Sequence, residues 1–273
     1  VNLINSYHIM YKAVICDLDG TLLNSQHTIS NYTKNVINKV REKGVKVFIA
    51  TGRHHRDTFV FKDMLGLDSF LITSNGAKVH DENNREIFSH NIPENLAKRL
   101  IKLEIDNEIV QNIYQDDIWY CNNLPTMLRN FYKESGFSYE MKPFNEIKCG
   151  VTKFFYINNT NPEMLIELEN RITAELKDDL NITFSLPTCL EIMQKGVSKG
   201  LAVKEILRRE SIDLKDTIAF GDGLNDYEML SIVGKGLLMG NSNERIRKVL
   251  PHLEIIETCD NDGVARYLEK TFL

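Results

Sequence analysis

The sequence predicts an α/β protein in which a doubly wound parallel sheet is interrupted by an inserted α+β segment. Three observations support this fold class. Short apolar strands alternate with amphipathic helices up to about residue 76, hairpin patterns replace this alternation in the middle of the chain, and the alternation returns after residue 196. We therefore expect a discontinuous core domain, residues 1–82 and 195–273, and one inserted domain, residues 83–194.

The first part of the chain contains three runs of apolar, largely β-branched residues, which are typical of strands buried in a parallel sheet. Ser30 is a suitable N-cap for the first helix, and Gly44 and Gly66 end the two helices that separate the runs. The expected elements are strand 13–16, helix 31–43, strand 45–50, helix 56–65 and strand 70–73.

The middle of the chain contains pairs of short strand-like segments, and Pro93 and Pro162 mark the starts of two helices. Helices on one face of an antiparallel sheet form an α+β unit. The expected elements are hairpin 77–88, helix 93–109, strands 110–114 and 117–121, helix 125–135, strand 153–157, helix 162–176, and strands 182–186 and 189–193.

The last part of the chain returns to strands and helices in alternation. Because it repeats the pattern of the first part, we expect both parts to contribute to one parallel sheet with right-handed crossovers. The expected elements are helix 199–209, strand 217–220, a helix from 226, strand 236–239, and helices 244–249 and 264–272.

The composition limits the functions that are open to this chain. With 273 residues, 42% of them apolar, it can bury a core, and its net charge of −5 disfavours nucleic-acid binding, which needs a basic face. No apolar run approaches the ~20 residues of a membrane span, and the N-terminal residues lack the pattern of a secretory signal, so we expect a cytoplasmic protein. The five cysteines contain no C-x-x-C pair and predict neither a zinc site nor a disulfide framework.

Chemically useful side chains stand where the predicted strands end. Asp17 and Asp19 follow the first strand, Thr51 ends the second, Asp222 follows the strand at 217–220, and Lys199 begins a helix. Ligands bind beyond the carboxyl ends of parallel strands, and two acidic clusters with a hydroxyl and a lysine are sufficient for phosphoryl transfer. Each residue alone also has a structural explanation, such as a turn, a strand end or a solvated lysine.

Four segments together resemble the motifs of the haloacid dehalogenase-like hydrolases. They are Asp17-Leu-Asp19-Gly20-Thr21, Ala50-Thr51-Gly52-Arg53, Gly196-Val-Ser-Lys199-Gly200 and Gly221-Asp222-Gly223-Leu-Asn225-Asp226. Their order, with a large insert between the second and third, resembles the Cof-type phosphatases, which carry an α+β cap of type IIB. The likeness covers nearly the whole chain and implies a Rossmann-like core under a cap domain.

The resemblance implies a role for each catalytic residue. Asp17 is expected to attack phosphorus and form an aspartyl-phosphate, and Asp19 to act as acid and base with a pKa raised by its neighbours. Thr51 is expected to bind a phosphate oxygen, and Lys199 to offset negative charge. The resemblance also implies Mg²⁺, held by Asp17, the backbone carbonyl of Asp19 and Asp222.

Further positions are expected to contact substrate or to orient the groups that do. They are Gly20, Gly52, Arg53, Asn75, Gly76, Glu191, Asn225 and Asp226. Glu191 is a candidate ligand for a sugar hydroxyl, whereas an Asn-Gly turn is the alternative explanation for Asn75. His54 and His55 face either the cleft or the surface, and Trp119 is expected to pack in a core while Asp116 and Asp117 are candidate substrate contacts.

The resemblance favours a Mg²⁺-dependent phosphatase of small phosphorylated metabolites, with sugar phosphates as the first substrate class. A phosphomutase would use the same Asp17 and a similar cap, and a non-catalytic regulator that binds a phosphorylated metabolite would keep the fold. The sequence predicts no nucleic-acid or membrane partner and leaves the oligomeric state open.

Overall fold

The computed structural model describes residues 11–122, 134–147 and 149–273. Its larger sheet has eight strands in the order β14-β13-β12-β1-β2-β3-β4-β5, and the pairs from β14 to β3 are all parallel. The strands are β1 Ala13–Cys16, β2 Lys46–Ala50, β3 Leu71–Thr73, β4 Lys78–His80, β5 Glu86–Ser89, β12 Thr217–Gly221, β13 Lys235–Leu238 and β14 Glu254–Ile255.

Helices cover both faces of this sheet, as the predicted fold class requires. Along β1, Val14 and Cys16 join one apolar cluster while Ala13 and Ile15 join the other, so the strand is buried on both sides. The first cluster includes residues of α1 Asn31–Glu42, α2 His55–Met64 and α8 Gly263–Phe272, and the second includes residues of α5 Lys199–Arg209, α6 Tyr227–Ile232 and α7 Glu244–Val249.

The inserted segment forms a second sheet of six strands in the order β10-β11-β9-β6-β7-β8, antiparallel except for β7 and β8. Two helices, α3 and α4, pack on one face. Trp119 packs on the other face with Tyr114 and Phe155, which confirms its predicted core position. The elements are α3 Glu94–Ile101, β6 Val110–Gln115, β7 Ile118–Cys121, β8 Tyr139–Met141, β9 Val151–Ile157, α4 Glu163–Leu176, β10 Leu180–Leu186 and β11 Cys189–Gln194.

The prediction of a helix over 93–109 was too long. Helix α3 ends at Ile101, and the chain then turns at Asp106, whose side chain accepts a hydrogen bond from the Glu108 amide while its carbonyl accepts one from Ile109. An aspartate that bonds its own backbone in this way favours a turn over a helix. Strands β8 and β14 were not predicted, and most of the predicted helix 125–135 lies outside the described residues.

The border between the core and the insert lies near a hairpin of the larger sheet. Strands β4 and β5 both belong to that sheet, so the predicted border at residues 82 and 83 falls within their turn. We propose to place the border after Ser89, and to keep the second border at residues 194 and 195, where β11 ends. Within the three described ranges, no helix is both long and apolar enough to cross a membrane.

Candidate active site

The central strands of the larger sheet bring the acidic motifs together. Strands β1 and β12 are parallel neighbours with Cys16 opposite Phe220, so Asp17 and the residues after Gly221 emerge side by side. Thr51 follows β2, the neighbour of β1 on the other side. The register of these three strands therefore places Asp17, Thr51 and Asp222 at one edge of the sheet.

Lys199 holds two of the carboxylates. Its side chain is 0% exposed, and its Nζ lies 2.9 Å from Asp17 Oδ1 and 2.8 Å from Asp226 Oδ1. The second oxygen of Asp226 accepts hydrogen bonds from the amides of Asp222 and Gly223 at 2.9 and 3.0 Å. With both oxygens engaged, Asp226 positions the lysine and the 222–223 turn.

The charges at this edge do not balance within the protein. Burial alone would lower the pKa of Lys199, but Asp17 and Asp226 outweigh burial and raise it, so the lysine is a cation. Burial, together with Asp226 and Asp19, raises the pKa of Asp17 to about 8 despite the opposing effect of Lys199. Burial, followed by repulsion from Asp17 and Asp226, also raises the pKa of Asp222 well above its usual range.

This donor set fits a divalent cation. Asp17, Asp222 and Asp226 each place one carboxylate oxygen within 4.8 Å of the others, and one ammonium group balances only one of these three negative charges. Asn225 adds a buried Oδ1 without a hydrogen-bond partner among the described residues. Oxygen donors and a surplus of two negative charges are what a hard divalent ion requires.

Gly20 leaves room for Asp222. Gly20 has a φ of +70°, and a Cβ there would lie 2.4 Å from Asp222 Oδ2, so any side chain would displace this carboxylate. The hydroxyl of Thr21 donates to the other oxygen, Oδ1, at 3.2 Å. The loop after β1 therefore shapes the position of the acidic residue that follows β12.

Asp19 is bound by Arg53, which contradicts the expected rise in its pKa. Arg53 Nε donates to Asp19 Oδ2 at 2.7 Å and Nη2 donates to Oδ1 at 2.6 Å. Burial opposes ionisation of Asp19, but the Arg53 guanidinium outweighs it and lowers the pKa of this carboxyl. The third nitrogen, Nη1, donates to buried Asp57 at 2.8 Å, so Arg53 is buried between two carboxylates.

The loop after β2 presents a hydroxyl and backbone amides to the same edge. Thr51 is fully buried, and its Oγ1 accepts a hydrogen bond from the Arg53 amide at 3.1 Å, which leaves the hydroxyl proton for another acceptor.

Gly76, in the loop after β3, packs closely against the residue before α5. It has a φ of +92°, and a Cβ there would lie 2.3 Å from the Ser198 carbonyl oxygen. Gly76 therefore allows the chain after β3 to approach the start of α5.

The inserted domain brings two charged residues to the cavity: Glu191, a candidate from the sequence, and a second one that sequence reasoning missed. Glu191 Oε2 accepts from Asn75 Nδ2 at 2.7 Å, and Asn75 Oδ1 accepts from Asn225 Nδ2 at 3.0 Å. The missed residue is Lys153, which lies 2.5 Å from Glu191 and donates to the Gly52 carbonyl at 2.6 Å. A lysine directly before the apolar residues Phe154 and Phe155 of β9 was the available signal.

The two histidines after Arg53 are buried and bind the inserted domain. His54 Nε2 lies 3.0 Å from the Asp116 carbonyl oxygen, and His55 Nε2 lies 2.9 Å from Asp117 Oδ1. His54 and His55 therefore face neither the cleft nor the surface, which corrects both expectations. The interpretation of Asp116 and Asp117 as substrate contacts is likewise replaced, because these residues join the core to the turn between β6 and β7.

A cavity of about 320 Å³ lies between the two sheets and connects these groups. The core contributes both acidic residues of the first motif, and the insert contributes an apolar wall. The lining residues are Asp17, Asp19, His27, Gly52, Arg53, Tyr114, Lys153, Phe155, Ile157, Asn159, Ser185, Leu186, Thr188, Cys189, Glu191 and Asn225. A volume of this size suits a small molecule whose reactive end reaches Asp17.

Comparisons with known proteins support one family. The family described as haloacid dehalogenase-like hydrolase matches residues 14–268. A Haemophilus influenzae protein, named provisionally as a phosphatase, is 40% identical over 265 residues, which cover 96% of this chain and 97% of the relative. An HMP-PP phosphatase of Yersinia pseudotuberculosis is 33% identical over 260 residues, which cover 95% of this chain and 94% of the relative.

A solved haloacid dehalogenase-like hydrolase from B. subtilis has the same fold, with a TM-score of 0.82, 25% identity, and coverage of 94% of this chain and 99% of its own. The family match spans both the parallel sheet and the insert, and the four motifs lie within it. The chain therefore belongs to the haloacid dehalogenase-like hydrolases and is a phosphatase of the Cof type.

Proposed function

We propose that the protein is a Mg²⁺-dependent phosphatase that hydrolyses small phosphate monoesters through an aspartyl-phosphate on Asp17. The observation that carries this proposal is the position of Asp17. It lines the cavity and lies 2.9 Å from the Lys199 ammonium. One of its carboxylate oxygens also lies within 4.8 Å of one from Asp222. A carboxylate beside cations can approach a phosphate dianion that it would otherwise repel.

Asp17 and Asp222, with the backbone carbonyl of Asp19, would hold the metal ion, while Asn225 and Asp226 orient the surrounding groups. When bound, Mg²⁺ would neutralise charge on the carboxylates and the phosphate oxygens. Lys199 is the cation that the chain itself supplies. Its hydrogen bond to Asp226 fixes the ammonium beside Asp17 before any substrate arrives.

In the first step, an Asp17 oxygen forms a bond to phosphorus, and the bond from phosphorus to the ester oxygen breaks. Asp19 gives a proton to that leaving oxygen. In the second step, water attacks phosphorus, Asp19 takes a proton from the water, and the bond to Asp17 breaks to release phosphate. The Thr51 hydroxyl donates a hydrogen bond to a phosphate oxygen in both steps.

Asp19 must leave Arg53 to act as the acid. In the observed geometry both carboxylate oxygens accept from Arg53, and the lowered pKa keeps Asp19 ionised. We therefore propose that substrate binding separates this pair, which lets Asp19 take up a proton next to the leaving oxygen. Arg53 also lines the cavity, so its guanidinium is placed to meet an incoming anion.

The first test is phosphate release from a panel of sugar phosphates, nucleotides and HMP-PP, the compound in the name of one relative. Sugar phosphates are the expected first class, because the resemblance to the Cof-type phosphatases favours them and a cavity of about 320 Å³ admits small phosphate esters. With Mg²⁺, we expect turnover that falls at least ~10²-fold in Asp17→Asn and in Asp19→Asn. Activity near the wild-type level in either variant would refute the role assigned to that residue.

The second test looks for the intermediate directly. Acid-quenched protein mixed with a good substrate should yield a phosphorylated peptide that contains Asp17, identified by mass spectrometry. Free phosphate must be released without a bisphosphate activator. If the phosphoryl group instead returned to another position of the substrate, the protein would be a phosphomutase.

A further inference from the structure

Lys153 and Glu191 form an ion pair inside the inserted domain, at the roof of the cavity. Lys153 lies on β9 and Glu191 on the neighbouring β11, with 2.5 Å between Nζ and Oε1. Their side chains are 2% and 4% exposed. Removing two charges from water is unfavourable, and a buried pair of this kind adds little to stability. Its presence therefore calls for a functional explanation.

Both members of the pair reach across the cavity to the core. Lys153 Nζ donates to the carbonyl of Gly52 at 2.6 Å, next to Thr51. Glu191 accepts from Asn75, and Asn75 accepts from Asn225 in the loop that follows β12. One continuous chain of hydrogen bonds thus links the insert to the loops after β2, β3 and β12.

The local backbone is arranged to permit this chain. Asn75 has a φ of +57°, a left-handed conformation that asparagine tolerates better than most residues. Gly52 leaves the necessary space, since a Cβ there would lie 3.0 Å from Asn75 Oδ1 and 3.3 Å from each Glu191 oxygen. Two separate loops therefore have the conformation or the residue size that the network needs.

We propose that Lys153 and Glu191 are positioning residues, which align the phosphate-binding loop at Thr51 and the loop of Asn225 when the inserted domain lies over the core. Each Glu191 oxygen already has a partner within the protein, one on Lys153 and one on Asn75. The pair therefore acts through those loops and not through the leaving group. This inference rests on the proposed phosphatase activity of the same site.

The proposal predicts the same loss for every substrate. A residue that contacts the leaving group changes the ranking of substrates, whereas a residue that positions the phosphate loop affects all phosphate esters equally. We expect Glu191→Gln and Lys153→Met to lower kcat/KM about 10- to 100-fold, as loss of a supporting contact typically does. The factors should agree within about 2-fold for p-nitrophenyl phosphate, glycerol phosphate and a hexose phosphate.

Inorganic phosphate provides a readout that contains no leaving group. Its inhibition constant, or its dissociation constant by calorimetry, should rise in both variants in parallel with KM. The matched control is Glu169→Gln, which cuts another ion pair between insert and core, that of Glu169 with Arg245 at 3.1 Å, outside the cavity. This control should keep wild-type kcat/KM and phosphate affinity.

Three outcomes would overturn the positioning role. They are a loss that differs strongly among the esters, an unchanged affinity for inorganic phosphate, or an equal loss in Glu169→Gln. If a single variant fails to fold, the double variant Lys153→Met/Glu191→Leu removes both charges and should give the same uniform loss. If the wild-type protein hydrolyses no ester, the proposed function fails, while the phosphate affinities still decide the role of the pair.

Discussion

Arg53 and Asp19 form a bidentate ion pair, with distances of 2.7 and 2.6 Å from Nε and Nη2 to the two carboxylate oxygens. The guanidinium is 4% exposed and the carboxylate 23% exposed. Such planar, two-point pairing is specific to arginine and strongly favours the ionised carboxylate. The acid of the proposed mechanism is thus held in its charged form before substrate binds.

Replacing Arg53 should therefore change the pH dependence of the reaction. In Arg53→Met the pKa of Asp19 rises, since the group that outweighs burial is gone, and a larger fraction of Asp19 is protonated at any given pH. We expect the alkaline limb of the kcat/KM profile to move to higher pH. Arg56→Met, which removes an exposed arginine from the first turn of α2, should leave that limb in place. An unmoved limb in Arg53→Met would argue against the assignment of Asp19 as the acid.

Loss of the Lys199 ammonium should destabilise the fold. Lys199→Met leaves Asp17 and Asp226 buried without their cation, and breaking a buried pair in this way costs about 3–5 kcal/mol. Urea unfolding at neutral pH without metal measures the effect. Lys204→Met, an exposed lysine on the same helix, should change the free energy of unfolding by less than about 0.5 kcal/mol. Similar values for the two variants would contradict the ion-pair geometry.

Divalent metal should stabilise the folded protein through Asp222. Burial, and then repulsion from neighbouring carboxylates, raise the pKa of Asp17 and Asp222. A bound cation offsets both effects, so the melting temperature should increase with Mg²⁺ concentration. At 100 times the dissociation constant the gain is about 2.7 kcal/mol, and chelation should reverse it and abolish turnover. Asp222→Asn should lose the response, whereas Asp213→Asn, an exposed carboxylate before β12, should keep it. A full response in Asp222→Asn would place the ion elsewhere.

His54 should make the protein less stable in mild acid. Burial, and then the neighbouring His55, lower the pKa of His54 to about 2, and its Nδ1 accepts from the Arg56 amide, a bond that protonation breaks. Between that pKa and about 6.5 the unfolded state binds more protons at this residue, so stability falls as pH falls. One such histidine accounts for about 2 kcal/mol between pH 7.5 and 5.

Asparagine is the suitable replacement for His54, because its side chain can still accept the helix-capping hydrogen bond. Urea unfolding of His54→Asn at pH 7.5 and 5 should show a loss about 2 kcal/mol smaller than that of the wild type. Substitution of exposed His252 by asparagine should not alter the loss. If the wild type and His54→Asn lost equal stability, His54 would not be a buried neutral group.

The parts of the fold that depend on local pattern were predictable. Apolar runs predicted the bounds of most strands to within one or two residues of those observed. The parallel order of β1, β2 and β12 then brings the side chains that follow these strands to one edge of the sheet. Helix α3 was overextended, because the apolar pattern continues past Ile101 although the bonds made by Asp106 favour a turn. Local periodicity carries no information about such competition between side chain and backbone.

Contacts between distant segments were not predictable. The partner of Lys153 at Gly52 lies 101 residues away, and its identity depends on how the insert packs on the core. The same is true of Arg53, which was expected to contact substrate or to orient the groups that do. Its pairing with Asp19 lowers the pKa of Asp19, whereas a raised pKa was expected. Sequence patterns located the candidate residues, whereas protonation states required the three-dimensional neighbours.

The position of β1 also has a consequence for how the chain is made. Ala13 pairs with Lys46 on one side and with Thr217 on the other. At about 5–20 residues per second, the ribosome needs roughly 10–40 s to deliver the second neighbour after the first strand has emerged. During that interval β1 has an open edge able to pair with other nascent chains, and Asp17 lacks Asp222 and Asp226, which follow β12. A polypeptide cut short before β12 would thus be both inert and prone to aggregation.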